Sequence, residues 1–385
     1  MLKPLGEIRA NEGGSEGVFA SPRSPRGARP PVTPVTPKRS LFRSRRFQAG
    51  VSIVLAIGLL AFFLSRVPLA EIGQQISEVS PGWLAWSVIL SLLVFLFRTV
   101  RWIWILEPVG RVPFFPAFRA TAIGFAANTV LPARAGEVLR PAILARERGL
   151  PFPALLASIL FERVLDALAQ LLFLGIALAS GPRSGATGIM ASDRIRWVAA
   201  AIAGGAIAVA LFAVVWRKVT ERAFERLFRI LPERFRGPAR RISSTFLDGF
   251  ASLRTPRLFL LVAASSIGMW FVINVQIYCV MRAFGLDLPL TAAYVVTTAA
   301  VLGLAVPTPG GVGGYHAAVQ FALTDVFAVP VATATGVALL AHAVSFVPIS
   351  LIGFALFATS SLRRRGLKDL AEEPGDGKRK TEDEK

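Results

Sequence analysis

Long apolar runs recur along this chain, and they restrict it to a helical membrane fold. A helix needs about 20 apolar residues to cross a bilayer, and six runs approach or exceed that length: 48–64, 83–106, 154–180, 197–216, 258–281 and 331–358. Apolar residues make up 54% of the chain and the mean hydropathy is +0.57, more than the core of a soluble domain requires. We therefore predict an all-α integral membrane protein with about six full spans.

Two further apolar regions, 117–131 and 291–329, are interrupted by proline and glycine. The first break begins at Pro132 and the second at Pro307. Unwound backbone persists at membrane depth only where protein or a wet cavity satisfies its polar groups. We predict a re-entrant hairpin of two short helices in each region, and such broken helices are where transporters bind their substrates.

The two breaks lie 175 residues apart, and this offset relates much of the chain to itself. It aligns Pro132 with Pro307, span 83–106 with span 258–281, and span 154–180 with residues 329–355. We predict two repeats, at about 47–180 and 197–358, with an insertion at 217–257 in the second.

The distribution of the 43 Lys and Arg residues predicts the orientation of the chain. Ten lie in 1–46, eight in 98–148, eleven in 217–257 and eight from Arg363 onward. Basic segments stay in the cytoplasm, so we predict that both termini and the 217–257 loop are cytoplasmic and that the repeats are inverted in the membrane. The net charge of +19 also suits a nucleic-acid-binding protein, but cytoplasmic loops and lipid head groups account for it without nucleic acid.

The chain is polar on either side of the transmembrane domain, which we place at 47–360. Residues 1–46 are basic and rich in proline, and residues 361–385 are charged, so we predict a disordered tail and a second solvated tail. The 217–257 insertion mixes charges with apolar residues, which indicates an amphipathic helix at the membrane surface. It would bind anionic lipids or cover the spans.

The first repeat carries charges at membrane depth, where they are costly unless they are paired or face a cavity. Glu162 and Asp166 lie at positions i and i+4 of one apolar helix, and Arg163 can reach Asp166, so a local charge network is feasible. The candidate substrate-binding residues of this repeat are Arg98, Arg101, Asn128, Arg134, Glu137, Arg140, Glu162, Arg163 and Asp166.

Two interpretations of these charges stay open. Guanidinium groups recognise phosphate oxygens, which favours contact between the arginines and a substrate. The competing interpretation is that Arg98, Arg101 and Arg119 extend to the cytoplasmic interface. Glu162 and Asp166 either take part in the site or only neutralise the arginines and fix the hairpin.

The second break supplies backbone groups instead of charges. Its glycines and prolines form a sharp turn before a helix that begins near Tyr315, and free amides at a helix start bind anions. The same glycines would also let helices pack closely. The candidate substrate-binding residues here are Pro307, Pro309, Gly310, Gly311 and Gly313.

The residues that bind metals or form disulfides are isolated in this sequence. Cys279 is the single cysteine, and His316 and His342 have no second ligand pattern near them. We expect no disulfide, no metal site and no other cofactor.

Three motifs together resemble the lysylphosphatidylglycerol synthase transmembrane-region family. They are NTVLPARAGE at 128–137 followed by Arg140, ERVLD at 162–166, and PTPGGVG at 307–313. The resemblance covers about residues 47–360 and implies a flippase-like domain that translocates lipids. The full-length enzymes of the family also carry a soluble aminoacyl-transferase domain, and this sequence ends soon after its last span. We therefore expect no synthase activity.

These observations lead us to predict a multi-pass lipid flippase in a bacterial cytoplasmic (inner) membrane. It would move an anionic or aminoacylated phospholipid, or a polyprenyl-linked glycolipid, by alternating access and without enzymatic activity. The head group would enter beside Arg98 and Arg101, and Arg134 and Arg140 would hold its phosphate. The alternatives are a non-transporting membrane partner of a cell-envelope glycosyltransferase or lipid-modifying enzyme, and a lipid-modifying enzyme that uses Glu162 and Asp166.

Overall fold

Nine α-helices with defined bounds make up the described part of the chain. The computed structural model describes residues 69–131, 134–180, 255–306 and 308–360, with a few isolated positions near 54–58 and 194–205. The helices are α1 (Leu69–Ser77), α2 (Pro81–Leu106), α3 (Phe114–Val130), α4 (Gly136–Arg148), α5 (Phe152–Ala179), α6 (Pro256–Ala283), α7 (Leu290–Gly303), α8 (Gly314–Phe321) and α9 (Val331–Thr359). No strand occurs in these ranges, and the prediction of an all-α protein is confirmed.

Prolines mark where most of these helices begin. Pro81 and Pro256 occupy the first positions of α2 and α6, and a proline directly precedes each of α3, α5, α7 and α9. A helix start loses no hydrogen bond to proline, and the fixed φ of the ring suits the first turn. Long apolar stretches are thereby divided into separate helices at positions that the sequence sets.

Four of the six predicted spans coincide with long helices, namely α2, α5, α6 and α9. Among the described residues, α2, α6 and α9 are both long and apolar enough to cross a membrane. Helix α5 is equally long but carries Glu162, Arg163 and Asp166 in its apolar sequence. The predictions for 48–64, the two tails and most of 197–216 and 217–257 lie outside the described residues.

Each interrupted region forms two short helices that pack against each other, α3 with α4 and α7 with α8. Glycine allows the close approach in both pairs. A Cβ atom on Gly136 would lie 1.9 Å from the carbonyl oxygen of Gly124, and one on Gly303 would lie 2.3 Å from that of Gly314. Backbone-to-backbone contact of this kind is typical of membrane helices that meet at small residues.

The first hairpin is longer than the apolar segment that predicted it. Segment 117–131 lies almost entirely in one arm, α3, and the second arm is α4. That arm contains Glu137, Arg140, Arg146 and Arg148, and these charges hid it from a search for apolar runs. The second hairpin stays within its predicted region, and α8 begins at Gly314 beside the predicted start.

Contacts between helices recur in matched pairs across the two halves. Helix α2 packs along α6, which is its counterpart at the 175-residue offset. Helix α3 of the first half packs on α9, and its counterpart α7 packs on α5. Helix α2 contacts α3, α5 and α9, and its counterpart α6 contacts the corresponding helices α7, α9 and α5. Each hairpin is therefore packed against the last helix of the other half.

Candidate functional site

Two carboxylates on α5 form the centre of a buried ion network. Glu162 and Asp166 lie one turn apart on the same face. Three buried arginines, Arg98 and Arg101 from α2 and Arg140 from α4, lie within 4 Å of them. We refer to these five residues as the ion network. It joins the long helices of the first half to the second arm of the first hairpin.

Arg101 links the two carboxylates. Its Nη1 donates to Asp166 Oδ1 at 2.8 Å and to Ser266 Oγ at 3.2 Å, and its Nη2 lies 3.7 Å from Glu162 Oε1. Trp270 Nε1 donates to the same oxygen of Asp166 at 3.1 Å. Ser266 and Trp270 belong to α6, so Asp166 is held from both halves. The Arg101 side chain is 0% exposed and contacts only protein here.

Arg140 is held by charge and by an aromatic face. Its Nη1 donates to Glu162 Oε2 at 2.6 Å, and its guanidinium carbon lies 3.8 Å from the Trp102 ring centroid, which adds a cation–π attraction. Trp102 Nε1 in turn donates to Ser158 Oγ at 2.8 Å, which fixes the ring. Within the described ranges, Nε and Nη2 of Arg140 have no hydrogen-bond partner.

Arg98 completes the ion network from one turn earlier on α2. Its Nη1 lies 3.6 Å from Asp166 Oδ2 and its guanidinium carbon lies 5.0 Å from the Phe125 ring centroid. Both α2 arginines therefore point into the protein. The interpretation that Arg98 and Arg101 extend to the cytoplasmic interface is wrong in this structure, whereas Arg119 is partly exposed.

An accessible rim lies beside the ion network, and it consists of Arg134, Glu137 and Arg163. Glu137 Oε1 lies 3.8 Å from Arg134 Nη1 and 3.7 Å from Arg163 Nη1. Arg163 Nη2 lies 3.1 Å from Asp166 Oδ2, so the predicted reach of Arg163 is confirmed and the rim is connected to the ion network. The side chains of Arg134 and Arg163 are 44% and 35% exposed.

The ion network and the rim together are positively charged. They contain five arginines and three carboxylates, which leaves two positive charges in excess. The carboxylates compensate the buried arginines most closely, since Glu162 and Asp166 are both buried. The remaining positive charge is therefore most accessible at Arg134 and Arg163.

The tips of the two hairpins touch beside the rim. Arg134 Nη2 donates to the carbonyl oxygen of Leu304 at 2.5 Å, and a Cβ atom on Gly310 would lie 3.7 Å from the carbonyl oxygen of Thr129. Arg134 adopts a φ of +53°, which is uncommon for a residue other than glycine and is typical of functional sites.

The turn of the second hairpin is built from glycines in left-handed conformations. Gly310, Gly311 and Gly313 have φ values of +64°, +70° and +94°, which glycine adopts without a steric penalty. The amide of Gly311 donates to the Thr308 carbonyl oxygen at 3.0 Å, and that of Gly313 donates to His316 Nδ1 at 3.4 Å. These two amides are therefore engaged within the protein. The expectation that they are free to bind an anion is wrong for Gly311 and Gly313.

Three predicted site residues remain to be located. Asn128 lies against Gly136, where a Cβ atom would come within 2.6 Å of Asn128 Oδ1. Pro309 opens the short 3₁₀ turn Pro309–Gly311, and Pro307 lies outside the described residues. Asn128 therefore lies where α3 and α4 cross, and the 3₁₀ turn lies where the tips of the two hairpins meet. Neither belongs to the rim.

Two histidines that are isolated in the sequence lie side by side in the structure, with their rings tilted by 49°. The ring centroids of His316 and His342 lie 4.7 Å apart, and His342 also contacts Tyr315 and Phe346 at 5.0 and 4.5 Å. His342 Nε2 lies 2.8 Å from the Gly310 carbonyl oxygen. The expectation that the histidines stand alone is wrong, because α8 and α9 bring them together. In the described part of the chain, no three His, Cys, Asp or Glu side chains are grouped to hold a metal ion.

The second half has neutral side chains where the first half has its arginines. The 175-residue offset relates Arg98 to Ile273 and Arg101 to Gln276. Gln276 is buried, and its Nε2 donates to Ser345 Oγ at 2.8 Å. The helix contacts are thus shared by both halves, but the ion network is confined to the first.

Comparisons with known proteins agree on a membrane protein of one family. A family model described as the lysylphosphatidylglycerol synthase TM region matches residues 49–353. A protein of Haloferax volcanii named glycosyltransferase AglD is 27% identical over 78% of this chain. Two UPF0104 membrane proteins of Methanothermobacter thermautotrophicus are 27% and 23% identical over 68% and 70% of this chain.

The relatives differ in how much of their length is matched. The chain spans about half of AglD, 52% of its length, and 78% and 82% of the two UPF0104 proteins. The matched region contains every described helix up to the last turns of α9.

Proposed function

Because the chain belongs to the lysylphosphatidylglycerol synthase transmembrane-region family, we propose that it translocates a lipid with a phosphate-bearing head group across a membrane. The observation that carries this proposal is the accessible rim. Arg134 and Arg163 are the accessible cations of a charged cluster whose other arginines are buried, on helices that we place at membrane depth. A polar, positively charged surface in such a position suits an anionic group that must pass through an apolar layer.

The chemistry of the rim favours phosphate. Each guanidinium group presents a fork of N–H donors that matches two phosphate oxygens, and the excess positive charge attracts an anion. Glu137 lies between Arg134 and Arg163 and holds both in reach of one ligand. It also supplies a negative group that could contact the amine of an aminoacylated head group. The acyl chains would stay in the bilayer.

In this proposal the buried ion network positions the rim. Asp166 contacts Arg163 directly, and Glu162 holds Arg140, three residues after Glu137 on α4. The ion network therefore fixes the helices that carry the rim residues. Arg98, Arg101 and Arg140 would reach a head group only in a conformation in which the carboxylates release them.

Alternating access is the movement we propose, and the packing of the helices supports it. Both hairpins are packed against the last helix of the other half, and their tips meet beside Arg134. The charge bias of the loops predicts that the two repeats are inverted, with both termini in the cytoplasm. Rocking of inverted repeats about their hairpins would expose the rim first to one leaflet and then to the other.

A second candidate function follows from one relative. AglD is named a glycosyltransferase, and this chain matches about half of its length. This chain could therefore act as a membrane partner that anchors or positions a glycosyltransferase or another lipid-modifying enzyme, without transport of its own. In both candidates we propose that this chain itself catalyses no reaction.

The test is translocation of head-group-labelled lipids in proteoliposomes that hold the purified protein. Plain and aminoacylated phosphatidylglycerol and a polyprenyl-linked lipid would be compared with a lipid without phosphate. We expect Arg134→Ala to lower the rate about tenfold to a hundredfold, because a hydrogen bond to a charged group contributes roughly 1.5–3 kcal/mol. Arg134→Lys should lose less, since the charge is kept.

Arg119→Ala is the matched control for that variant. Arg119 is also a partly exposed arginine with a carboxylate partner, Glu147, but it lies outside the rim. An unchanged rate in correctly inserted Arg134→Ala protein would contradict the phosphate role. If the unmodified protein moves none of these lipids, the partner function is favoured, and co-purification with a glycosyltransferase would be the next measurement.

A further inference from the structure

The two neighbouring histidines lie directly behind the turn of the second hairpin. His342 reaches from α9 to the Gly310 carbonyl oxygen, and the amide of Gly313 reaches His316 on α8. Gly310 in turn lies against Thr129 at the tip of the first hairpin. The imidazoles are therefore tied to the place where the two hairpins meet, although the ion network and the rim do not involve them.

The hydrogen bonds define which nitrogen of each ring can accept a proton. A carbonyl oxygen only accepts hydrogen bonds, so His342 Nε2 carries the hydrogen in its bond to Gly310 and Nδ1 is its basic nitrogen. An amide N–H only donates, so His316 Nδ1 is an acceptor and is engaged by Gly313. Protonation of His342 would keep its bond to the turn, whereas protonation of His316 would break one.

The surroundings of the pair contain little compensating charge. The remaining titratable side chains of α7, α8 and α9 are Tyr294 and Tyr315. Asp325 on the adjoining turn is exposed and bonded to Thr324. Helix α9 also packs against α1, α2, α3 and α6, whose charged or titratable residues are Glu71, Arg98, Arg101, Arg119, Arg257, Tyr278, Cys279 and Arg282. Of these, Arg98 and Arg101 are paired within the ion network.

We propose that His342, with His316 beside it, is a proton-binding site that couples proton movement to movement of the second hairpin. His316 is buried and His342 is half-buried. A charge on an imidazole that is shielded from water costs free energy, so proton binding favours conformations in which water reaches the pair. A conformation with an opened hairpin would bind the proton, and the closed conformation would release it. The histidines would thereby give the second half a proton-binding role that the ion network of the first half does not provide. The coupling rests on the proposed lipid translocation.

Two variants separate the roles of the histidines. In His342→Gln, the side-chain amide can still donate to the Gly310 carbonyl oxygen but cannot take up a proton. In His316→Asn, the side-chain oxygen can still accept from the Gly313 amide. Both variants should fold, because each keeps the hydrogen bond that ties the residue to the turn.

The first measurement is lipid translocation in proteoliposomes with an imposed pH gradient. A gradient of about one pH unit should change the leaflet distribution of the lipid by up to about tenfold, since one proton per lipid contributes that factor. We expect His342→Gln to move lipid without responding to the gradient and His316→Asn to respond. A translocating protein without any gradient response, or a response that persists in His342→Gln, would overturn the proton site and leave the proposed function standing.

The second measurement does not depend on transport. The chain has only two histidines, so the full-length protein with ¹⁵N-labelled histidine and a tag free of histidine gives ring-nitrogen signals from just two imidazoles in lipid nanodiscs. We expect His342 to gain a proton as the pH is lowered, and His316→Asn assigns the signals. If the protein moves no lipid, the proposed function fails, and this titration alone decides the proton site: two imidazoles that stay neutral would refute it.

Discussion

At the scale of single residues, Glu162 is the more deeply buried of the two carboxylates in the ion network. It accepts a hydrogen bond from Arg140 at 2.6 Å and lies 3.7 Å from Arg101, and its side chain is fully buried. Loss of one member of a buried ion pair leaves the other charge uncompensated, which costs far more than an exposed pair contributes. We therefore expect Glu162 to matter more for the stability of the fold than for contact with a ligand.

We predict that Glu162→Gln destabilises the protein by about 3–5 kcal/mol, the usual cost of breaking a buried pair. Glu147→Gln is the control, because Glu147 pairs with Arg119 at a partly exposed position and should cost about 1 kcal/mol or less. Thermal unfolding in detergent, followed by tryptophan fluorescence, would compare the two variants. Equal stability of both would show that the buried pairs contribute no more than the exposed one.

The residues of the site were predicted more completely than their arrangement. Charges at membrane depth identified Arg101, Glu162 and Asp166 from the sequence, because such charges are rarely present without a role. Their burial was not predictable, since it depends on α6 supplying Ser266 and Trp270 from the other half. The pairing of the histidines was missed for the same reason, because it depends on how α8 packs on α9.

At the scale of helices, the glycine contacts determine whether the hairpins close. The carbonyl oxygen of Gly124 and the side chain of Asn128 fill the space beside Gly136. Any side chain at Gly136 would push α4 away from α3. Glu137 and Arg140 follow on the same helix, so the position of α4 also sets the position of the rim and of part of the ion network.

We predict that Gly136→Ala destabilises the protein by about 1–3 kcal/mol or more, the range for an overpacked site, and reduces lipid translocation. Its control is Gly175→Ala on α5, since no atom lies within 4 Å of a Cβ atom at Gly175 and alanine is a better helix former than glycine. Thermal unfolding and translocation would be measured for both. Wild-type behaviour of Gly136→Ala would contradict the tight crossing of α3 and α4.

Helix positions were predictable where apolar length or a proline defined them. Pro81, Pro256 and Pro330 fix the starts of three long helices, and the predicted spans match those helices closely. Helix α4 was not recognised, because its charges are satisfied by partners that only the folded protein provides. A search for apolar segments cannot detect a membrane helix whose polar residues face other helices.

At the scale of the whole molecule, the contact between the hairpin tips is the feature that the proposed transport must disturb. Gly310 lies against Thr129, and Arg134 holds Leu304. If the two halves rock about the hairpins, these contacts must separate or slide in each cycle. A covalent link between the tips should therefore stop lipid movement while leaving the folded protein intact.

We predict that Thr129→Cys and Gly310→Cys, combined in a Cys279→Ala background, form a disulfide under mild oxidation and block translocation. A Cβ atom on Gly310 would lie 3.8 Å from the Thr129 Cα atom, which is within the reach of a disulfide. Reduction should restore transport, and the two single-cysteine variants serve as controls. Full activity of the cross-linked protein would exclude movement at the tips.

The charged α5 also has a consequence for how the protein is made. Translocon-mediated insertion costs roughly 2.5–3.5 kcal/mol for an arginine or aspartate at the centre of a lone helix, and α5 carries Glu162, Arg163 and Asp166. Its partners Arg98 and Arg101 lie on α2, which is synthesised earlier. We therefore expect α2 to remain beside the insertion machinery until α5 emerges, so that the two enter the lipid with their opposite charges paired.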